Sequence, residues 1–323
     1  MKRRRFIRRI AGLPLLAAAG AAWPPAALAR RLNGFDLTGA LVPLEAIEQG
    51  GPPRDGVPAI DQPRFVAAAR ARLAANDRVL ALATGGVARA YPVRILNWHE
   101  VVNDRLGELP LAVTYCPLCG TGMAFDARVA AMPGGQPASF GVSGLLYNSD
   151  VLLYDRATES LWSQIMAQAV TGPLKGTPLA QVPLVHTRWA AWQRRHPKTE
   201  VLSTDTGFVR DYTRDPYADY ALSPRLMFDV AHRDDRLPAK AWVLGLTLGG
   251  QAKAWPLASL ARHADGAGRY DDVVGGQRVQ VRYDAEAGSA EVFAADGRAL
   301  PGVMAFWFAW VAFHPRTAAL MPG

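Results

Sequence analysis

The chain contains two cysteines, Cys116 and Cys119, and they lie three positions apart in one short segment. A thiolate can attack a disulfide or bind a soft metal ion, and two sulfurs at this spacing can act on the same target. A strand-like run over residues 111–115 precedes the pair and Gly120 follows it, which indicates a turn between two strands. The spacing therefore predicts a small redox or metal site at a turn.

In the redox interpretation, one cysteine attacks a disulfide and the other resolves the mixed disulfide. Such a nucleophile needs a lowered thiol pKa, which a helix N-terminus or a neighbouring cation usually supplies. Because another strand, and not a helix, is indicated after Cys119, we expect Arg210 or His99 to supply the positive charge. Thiol redox chemistry of this pair is the favoured prediction, and whether the protein is an enzyme stays open.

A metal site is the second interpretation, because Cys-Pro-Leu-Cys-Gly resembles the turn in which zinc ribbons and rubredoxins place two thiolates. A four-coordinate zinc ion needs two further ligands, for which His99, Glu100, Asp150 or a second chain are candidates. Copper(I) would need fewer ligands. A disulfide between the two cysteines is the third interpretation, although closing so small a loop stabilises a fold by only about 2 kcal/mol.

The first 29 residues fit a twin-arginine signal peptide. Arginines at positions 3–5 precede an apolar pair, an apolar stretch spans residues 10–22, and Ala27-Leu28-Ala29 offers a cleavage site. The apolar stretch is shorter than the roughly 18 to 20 residues that a membrane-spanning helix needs. We therefore expect export to the periplasm, cleavage of the signal and no membrane contact afterwards, with an uncleaved signal anchor as the alternative.

The net charge of +8 comes mostly from this signal. Six of its residues are basic and none is acidic, so the remaining chain carries a net charge of +2. A nucleic-acid partner would require a basic surface on the folded domain, so we expect no such partner. The sequence instead favours a small molecule, a metal ion or a periplasmic protein.

Three blocks of sequence recur in the same order along the chain. Residues 79–92 match 243–256 at a shift of 164, residues 113–115 match 281–283 at a shift of 168, and residues 189–199 match 307–317 at a shift of 118. Alternating apolar residues around Gly-Gly predict a β-hairpin in each copy, and the Trp-x-x-Trp segments predict short helices. We interpret this as a strand-rich α+β fold of two similar tandem units from an internal duplication.

The predicted domain boundaries follow from these blocks. After the signal at 1–29 come an N-terminal segment at 30–77, a first unit at 78–202, a connecting segment at 203–240 and a second, cysteine-free unit at 241–323. The first unit is longer by about 50 residues, and this large insertion is placed at about residues 135–186. We expect the insertion to form either a lid over the cysteines or an extra sheet with a solvated face.

Polar residues of the insertion and of two other segments are candidates for lining a pocket beside the cysteines. They are Glu100, Tyr147, Asn148, Asp150, Arg210 and Asp211. Arg210 could bind an anionic ligand, and an ion-paired turn with Asp211 is the alternative. His99 has a counterpart, His263, in the unit without cysteines. That recurrence favours a framework hydrogen bond for His99 over a role in chemistry.

Four segments together resemble a bacterial family catalogued only as domain of unknown function 3179. They are residues 99–104, 114–121, 140–150 and 210–212, and the similarity extends over roughly residues 75–320. The resemblance implies an exported protein without an agreed activity. Three functions therefore stay open: a thiol oxidoreductase, a metal-binding protein or carrier for zinc or copper, and a non-catalytic periplasmic binding or assembly protein.

Overall fold

The structure, a computed structural model, describes residues 30–321. The signal peptide predicted for residues 1–29 lies outside these described residues, so it stays a prediction. Between residues 30 and 321, no helix has the length and apolar character needed to cross a bilayer.

The described residues form many short strands and five short α-helices. The strands are β1 (Arg31–Leu32), β2 (Phe35–Asp36), β3 (Ile47–Gln49), β4 (Phe65–Ala67), β5 (Arg78–Thr84), β6 (Val87–Pro92), β7 (Val101–Leu106), β8 (Leu109–Cys116), β9 (Thr121–Asp126), β10 (Phe140–Tyr147), β11 (Asp150–Asp155), β12 (Leu161–Ser163), β13 (Gln168–Ala169), β14 (Gln181–Val182), β15 (Val185–Arg188), β16 (Glu200–Leu202), β17 (Trp242–Leu248), β18 (Gln251–Pro256), β19 (Arg269–Val274), β20 (Gln277–Asp284), β21 (Ser289–Ala294), β22 (Ala299–Leu300), β23 (Val303–Phe306) and β24 (Ala318–Ala319). The helices are α1 (Val93–Leu96), α2 (Trp189–Arg195), α3 (Ala218–Leu222), α4 (Leu257–His263) and α5 (Trp307–Phe313).

Five sheets of four or five strands form the blades of a five-bladed β-propeller. In hydrogen-bonding order, blade 1 is β15-β5-β6-β16-β4, blade 2 is β14-β9-β8-β7, blade 3 is β13-β12-β11-β10-β3, blade 4 is β23-β17-β18-β24 and blade 5 is β19-β20-β21-β22. β1 and β2 form a separate two-stranded sheet. Pairing is antiparallel except between β16 and β6 and between β18 and β24.

The prediction of two tandem α+β units was wrong. The predicted hairpins themselves are present and share one register, with Val79 opposite Pro92 in β5–β6 and Val243 opposite Pro256 in β17–β18. They belong to separate blades, however, and the structure does not divide into two copies. Each blade of a propeller is a small sheet whose strands form hydrogen bonds with one another. Similar hairpins can therefore recur from blade to blade.

The residues predicted as an insertion, at about 135–186, form most of blade 3. Strands β10 to β13 pair in sequence, and β3 from the N-terminal segment completes the sheet. Seven of the eight residues of β10 and all six of β11 are buried, so these strands present no solvated face. The segment is a structural blade and not an inserted lid, because its strands are needed to fill one blade of the propeller.

The predicted Trp-x-x-Trp helices are present as α2 and α5. Helix α2 ends at Arg195 and α5 at Phe313, and in each case a histidine followed by proline comes next. The residue before proline is disfavoured in helical geometry, which explains both ends. In each helix the second tryptophan is buried, and its indole N–H donates to a following threonine hydroxyl at 2.9–3.0 Å. The same local sequence therefore stabilises both helix ends.

Residues 203–240, predicted as a connecting segment, contain little regular structure besides α3. Apolar side chains of this segment, including Tyr220, Phe228 and Leu237, pack in the same core cluster as Cys116 and Cys119. We call residues 203–240 the cap segment, because its apolar side chains from Tyr217 onward pack in the cluster that contains the cysteines.

Candidate functional site

The two cysteines lie at the turn between β8 and β9. Cys116 is the last residue of β8 and pairs with Thr121, the first residue of β9. Gly120 within the turn has a φ of 65°, which glycine adopts without steric strain. A Cβ atom at Gly120 would lie 2.7 Å from the Trp242 ring. The turn that presents the sulfurs therefore requires glycine for two independent reasons.

Both thiols are free and buried, with Cys116 1% and Cys119 0% exposed. Their sulfurs face the carbonyl oxygen of Ser149, at 3.6 Å from Cys116 and 3.3 Å from Cys119. Asn148 and Ser149 have φ values of 53° and 63° and form the two-residue turn between β10 and β11. Two central residues with positive φ are typical of the type I′ hairpin turn. Blades 2 and 3 thus meet at their turns around the sulfurs.

Asp150, the first residue of β11, completes a group of three donors. One of its carboxylate oxygens and the two sulfurs all lie within 4.8 Å of one another. Oδ2 accepts a hydrogen bond from the Ile165 N–H at 3.0 Å, whereas the buried Oδ1 has no hydrogen-bond partner among the described residues. Buried polar atoms are nearly always paired. The free oxygen therefore marks a position that suits a further ligand.

A buried amide provides a second unpaired oxygen next to this group. Gln164 precedes Ile165, and its Nε2 donates to Thr114 Oγ1 at 2.8 Å and to the Thr121 carbonyl at 3.3 Å. Its Oε1 is buried and lacks a hydrogen-bond partner within the described part of the chain. Gln164 lies in the segment at about 135–186 whose polar residues the sequence offered as pocket lining. The Ser149 carbonyl oxygen, in contrast, is a backbone atom that reaches the sulfurs only through the folded turn between β10 and β11.

Burial raises the pKa of the Cys119 thiol well above its ordinary value, and the neighbouring Cys116 and Asp150 raise it further. Burial also raises the pKa of Asp150, to about 8. The ionisable groups next to Cys119 are therefore acidic and not cationic. Burial and the acidic neighbours favour the protonated forms of the Cys119 thiol and the Asp150 carboxyl group, unless a positive ion takes the place of the protons.

Glu100, in the turn before β7, is the second buried carboxyl group of the site. Burial raises its pKa to about 8, and its charge contributes to the raised pKa of Asp150. Tyr217 of the cap segment lies near both Glu100 and Cys116, and burial raises the pKa of its hydroxyl group. The site therefore combines two thiols and two carboxyl groups within a region of low polarity.

We predict that the metal-free protein loses stability as the pH rises from about 4.5 to 8. The folded-state pKa of Glu100 is raised from 4.5 to about 8, so its stabilising contribution is complete below pH 4.5 and is lost as the pH rises towards 8. Each such group contributes a slope of up to about 1.4 kcal/mol per pH unit. Urea unfolding of chelator-treated protein between pH 5 and about 8 measures this slope.

In the Glu100→Gln variant, the slope of the free energy of unfolding against pH should fall by up to about half, because Asp150 retains its own contribution. Glu108→Gln is the matched control, since Glu108 is exposed in the turn between β7 and β8. An unchanged slope in the Glu100 variant would contradict the assignment of the raised pKa to this buried carboxyl group.

His99 has both ring nitrogens engaged by the framework. Nδ1 lies 2.8 Å from the Pro58 carbonyl oxygen, and Nε2 lies 2.7 Å from the Tyr212 hydroxyl, which also contacts Thr206 at 2.6 Å. Burial lowers the pKa of the imidazole, which favours the neutral ring. Among the described residues, the group of metal-ligand type contains Cys116, Cys119 and Asp150 without His99.

The other candidate pocket residues have separate surroundings. Tyr147 packs edge-on against Phe313, with ring centroids 5.6 Å apart. Arg210 and Asp211 are both exposed, and Asp211 accepts hydrogen bonds from Thr213 at 3.0 and 2.6 Å. These three candidates therefore do not contact the sulfurs, whereas Asp150 does lie beside them.

The cap segment is fixed to the turn of blade 3 by polar contacts. Asn148 Oδ1 accepts a hydrogen bond from the Ala231 N–H at 2.8 Å, and the Ser149 hydroxyl donates to the Phe228 carbonyl at 3.1 Å. Lys240 holds the segment together, because its Nζ donates to the carbonyl oxygens of residues 220, 223 and 225. Cap and turn together exclude solvent from the sulfurs.

No curated protein and no solved structure matches this chain significantly. The model of one protein family, described as a protein of unknown function (DUF3179), matches residues 54–317. The matched stretch includes the cysteine turn, Asp150 and the cap segment, and it covers most of the 323 residues. The chain therefore belongs to the DUF3179 family, as its Cys-Pro-Leu-Cys and Tyr-Asn-Ser-Asp segments had indicated.

Proposed function

We propose that this protein binds a zinc ion through Cys116, Cys119 and Asp150. The observation that carries the proposal is the grouping of two free thiols with a carboxylate whose buried Oδ1 has no hydrogen-bond partner among the described residues. Donor atoms around a tetrahedral zinc ion lie about 3.5 to 3.8 Å apart. The three donors here lie within 4.8 Å of one another, so none of these separations has to shorten by more than about 1 Å for the ion to bind.

The donor set favours zinc over copper(I). Zinc accepts thiolate and carboxylate ligands together, whereas copper(I) selects soft sulfur ligands. Asp150 is buried beside the sulfurs, and its charge is unfavourable there unless a cation compensates it. A divalent ion would replace the protons of both thiols and of the carboxyl group, which accounts for the excess of acidic groups.

The site is poorly suited to thiol exchange with another protein. Cys119 has a raised pKa and both cysteines are almost fully buried, whereas a redox nucleophile is usually a thiolate with a lowered pKa and access to its substrate. The two cations expected from the sequence, Arg210 and His99, do not serve as activators here, since Arg210 is exposed and the imidazole is held neutral. These features favour metal binding over redox chemistry.

We also propose that the protein works in the periplasm. The support is the twin-arginine pattern in residues 1–29, since this route carries proteins across the membrane in the folded state. A buried metal site fits such a route, because the ion can be incorporated during folding in the cytoplasm. After cleavage of the signal, the remaining chain would be a periplasmic metalloprotein.

Zinc and copper(I) titrations of the reduced, chelator-treated chain test the proposal. The parent should bind one zinc ion, and Asp150→Asn should weaken zinc binding by about tenfold or more while copper(I) binding changes little. Asp61→Asn is the matched control, because Asp61 is an exposed carboxylate. Failure of the parent to bind zinc, or equal zinc affinity in the Asp150 variant, would refute the proposed ligand set.

A further inference from the structure

We infer a second binding site, for a small organic anion, in a cavity beside the β4 edge of blade 1. The cavity has a volume of about 430 Å³. It is lined by β4 and β16, by α1, by the stretch between β4 and β5 and by the start of the cap segment. Small-molecule sites in proteins have volumes of about 300 to 1,000 Å³. The space therefore suits a ligand of this kind, and we call it the blade 1 cavity.

Three arginines line the blade 1 cavity, namely Arg70, Arg72 and Arg94. Its described lining contains no acidic residue. Arg70 and Arg72 are exposed, and neither side chain forms an ion pair or a hydrogen bond within the part of the chain that the structure describes. A cleft bordered by one sign of charge concentrates ions of the opposite sign. The charge of the lining therefore predicts an anionic ligand.

Arg94 is the least exposed of the three arginines and is partly held by the protein. Its Nη2 donates to the Arg72 carbonyl oxygen at 2.7 Å, and its Nη1 lies 3.5 Å from Asp77 Oδ2. The Arg94 Nε is buried and has no hydrogen-bond partner among the described residues, although buried polar groups are nearly always paired. Asp77 therefore balances only one of three guanidinium charges, and one donor of a lining arginine stays uncommitted.

The remainder of the lining is largely apolar. Its aliphatic side chains include Val66, Leu73, Ile95, Val201 and Leu202. Tyr212 also lines the cavity, and its hydroxyl group is already bound to His99 Nε2 at 2.7 Å and to Thr206 Oγ1 at 2.6 Å. Tyr212 therefore offers its ring to a ligand and not a hydrogen-bond donor. Apolar walls beside three guanidinium groups suit a molecule that has both an anionic end and an apolar body.

The ligand class follows from these two parts of the lining. Arginine binds carboxylate and phosphate oxygens through parallel N–H groups, which selects the head group. An inorganic ion would leave the apolar side chains uncovered, whereas a short hydrocarbon body would remove their surface from water. The ligand is therefore a small organic carboxylate or phosphate monoester with an apolar body. This site does not depend on the zinc proposal, because it lies on different residues.

Isothermal titration of the full chain with hexanoate and with hexyl phosphate tests the site, and acetate and hexanol serve as comparison ligands. The parent should bind at least one of the two hexyl anions saturably, and about tenfold or more tightly than it binds acetate or hexanol. The anion that binds more tightly identifies the head group. The inference is overturned if neither hexyl anion binds saturably, or if hexanol binds as tightly as both of them.

The double variant Arg70→Gln, Arg72→Gln should bind the anion about tenfold or more weakly than the parent. Both side chains are exposed, so we expect the variant to fold. The matched control is the double variant Arg262→Gln, Arg298→Gln, which removes two exposed arginines outside the cavity and should bind like the parent. Equal affinities in the two double variants would refute the role of the cavity arginines.

A cavity-filling variant keeps the test decisive if the arginine variant changes the fold. Thr204 is an exposed residue of the lining, so Thr204→Trp places a large side chain at the cavity and retains all three arginines. This variant should abolish saturable binding of the anion. Thr204→Ser is its control and should bind like the parent. Binding by Thr204→Trp as tight as by Thr204→Ser would show that the anion binds elsewhere.

Discussion

Replacing Cys116 with serine should abolish zinc retention by the reduced protein. The change removes one of two thiolates, and the remaining Cys119 and Asp150 are too few ligands for a stable site in a buried position. We expect the zinc affinity to fall by about 100-fold or more, since even residues outside the first ligand shell change affinity by 10- to 100-fold. Competition titration and elemental analysis of the purified protein measure this loss.

The matched control for this prediction is Met123→Leu. Met123 lies on β9 of the same hairpin and is buried, so the change removes a sulfur atom without touching either thiol. This variant should retain the zinc content of the parent. Zinc contents that stay equal in the parent, Cys116→Ser and Cys119→Ser proteins would show that the sulfurs are not ligands. A metal-free parent with a reversible Cys116–Cys119 disulfide would favour the redox function expected from the sequence.

Replacing Gly120 with alanine should lower the free energy of unfolding by about 2 to 4 kcal/mol. An alanine at a φ of 65° is strained by about 1 kcal/mol, and its methyl group would lie 2.7 Å from the edge of the Trp242 ring. Overpacking of this kind destabilises a core by about 1 to 3 kcal/mol. Urea unfolding at a fixed pH measures the combined effect.

Gly134→Ala separates these two causes. Gly134 has a φ of 69°, and an added Cβ there would have no atom within 4 Å. The free energy of unfolding of Gly134→Ala should therefore fall only by the backbone strain of about 1 kcal/mol. If Gly120→Ala and Gly134→Ala lose the same free energy of unfolding, the contact between the cysteine turn and Trp242 does not restrict the position of the sulfurs.

Local features of the fold could be predicted from the sequence because they depend on neighbouring residues. The Gly-Gly hairpins and the helices that end before His196 and His314 follow from turn chemistry and from proline. The number of blades could not be predicted in this way. Hydrogen-bond partners between distant strands decide the number of blades. The matched blocks of sequence suggested two large units, where residues 30–321 form five blades and a separate two-stranded sheet.

The candidate site could be predicted only in part from the sequence. Cys116, Cys119 and Asp150 could be identified from their types and from their segments, and the structure brings them together. His99 and Glu100 are adjacent in sequence, yet the His99 ring is bound to Pro58 and Tyr212 while Glu100 lies near Asp150. Only the folded backbone decides which of two neighbouring side chains faces a site.

The cap segment and the electrostatics of the thiols could not be predicted from the sequence. Tyr217, Tyr220 and Lys240 lie about 100 residues beyond the cysteines in a segment with few regular elements. The clustering of aromatic residues in that segment was the one available signal. The raised pKa of Cys119 depends on complete burial and on acidic neighbours, which arise only when the blades and the cap are packed together.

X-ray absorption spectroscopy at the zinc edge tests the central claim most directly, because it reports the atoms bound to the ion in the zinc-loaded full chain. The proposed site predicts two sulfur ligands at about 2.3 Å and at least one oxygen ligand at about 2.0 to 2.2 Å. The sulfur contribution should disappear in the Cys116→Ser, Cys119→Ser double variant. A zinc spectrum without sulfur in the parent protein would contradict the assignment of the cysteine pair as a metal site.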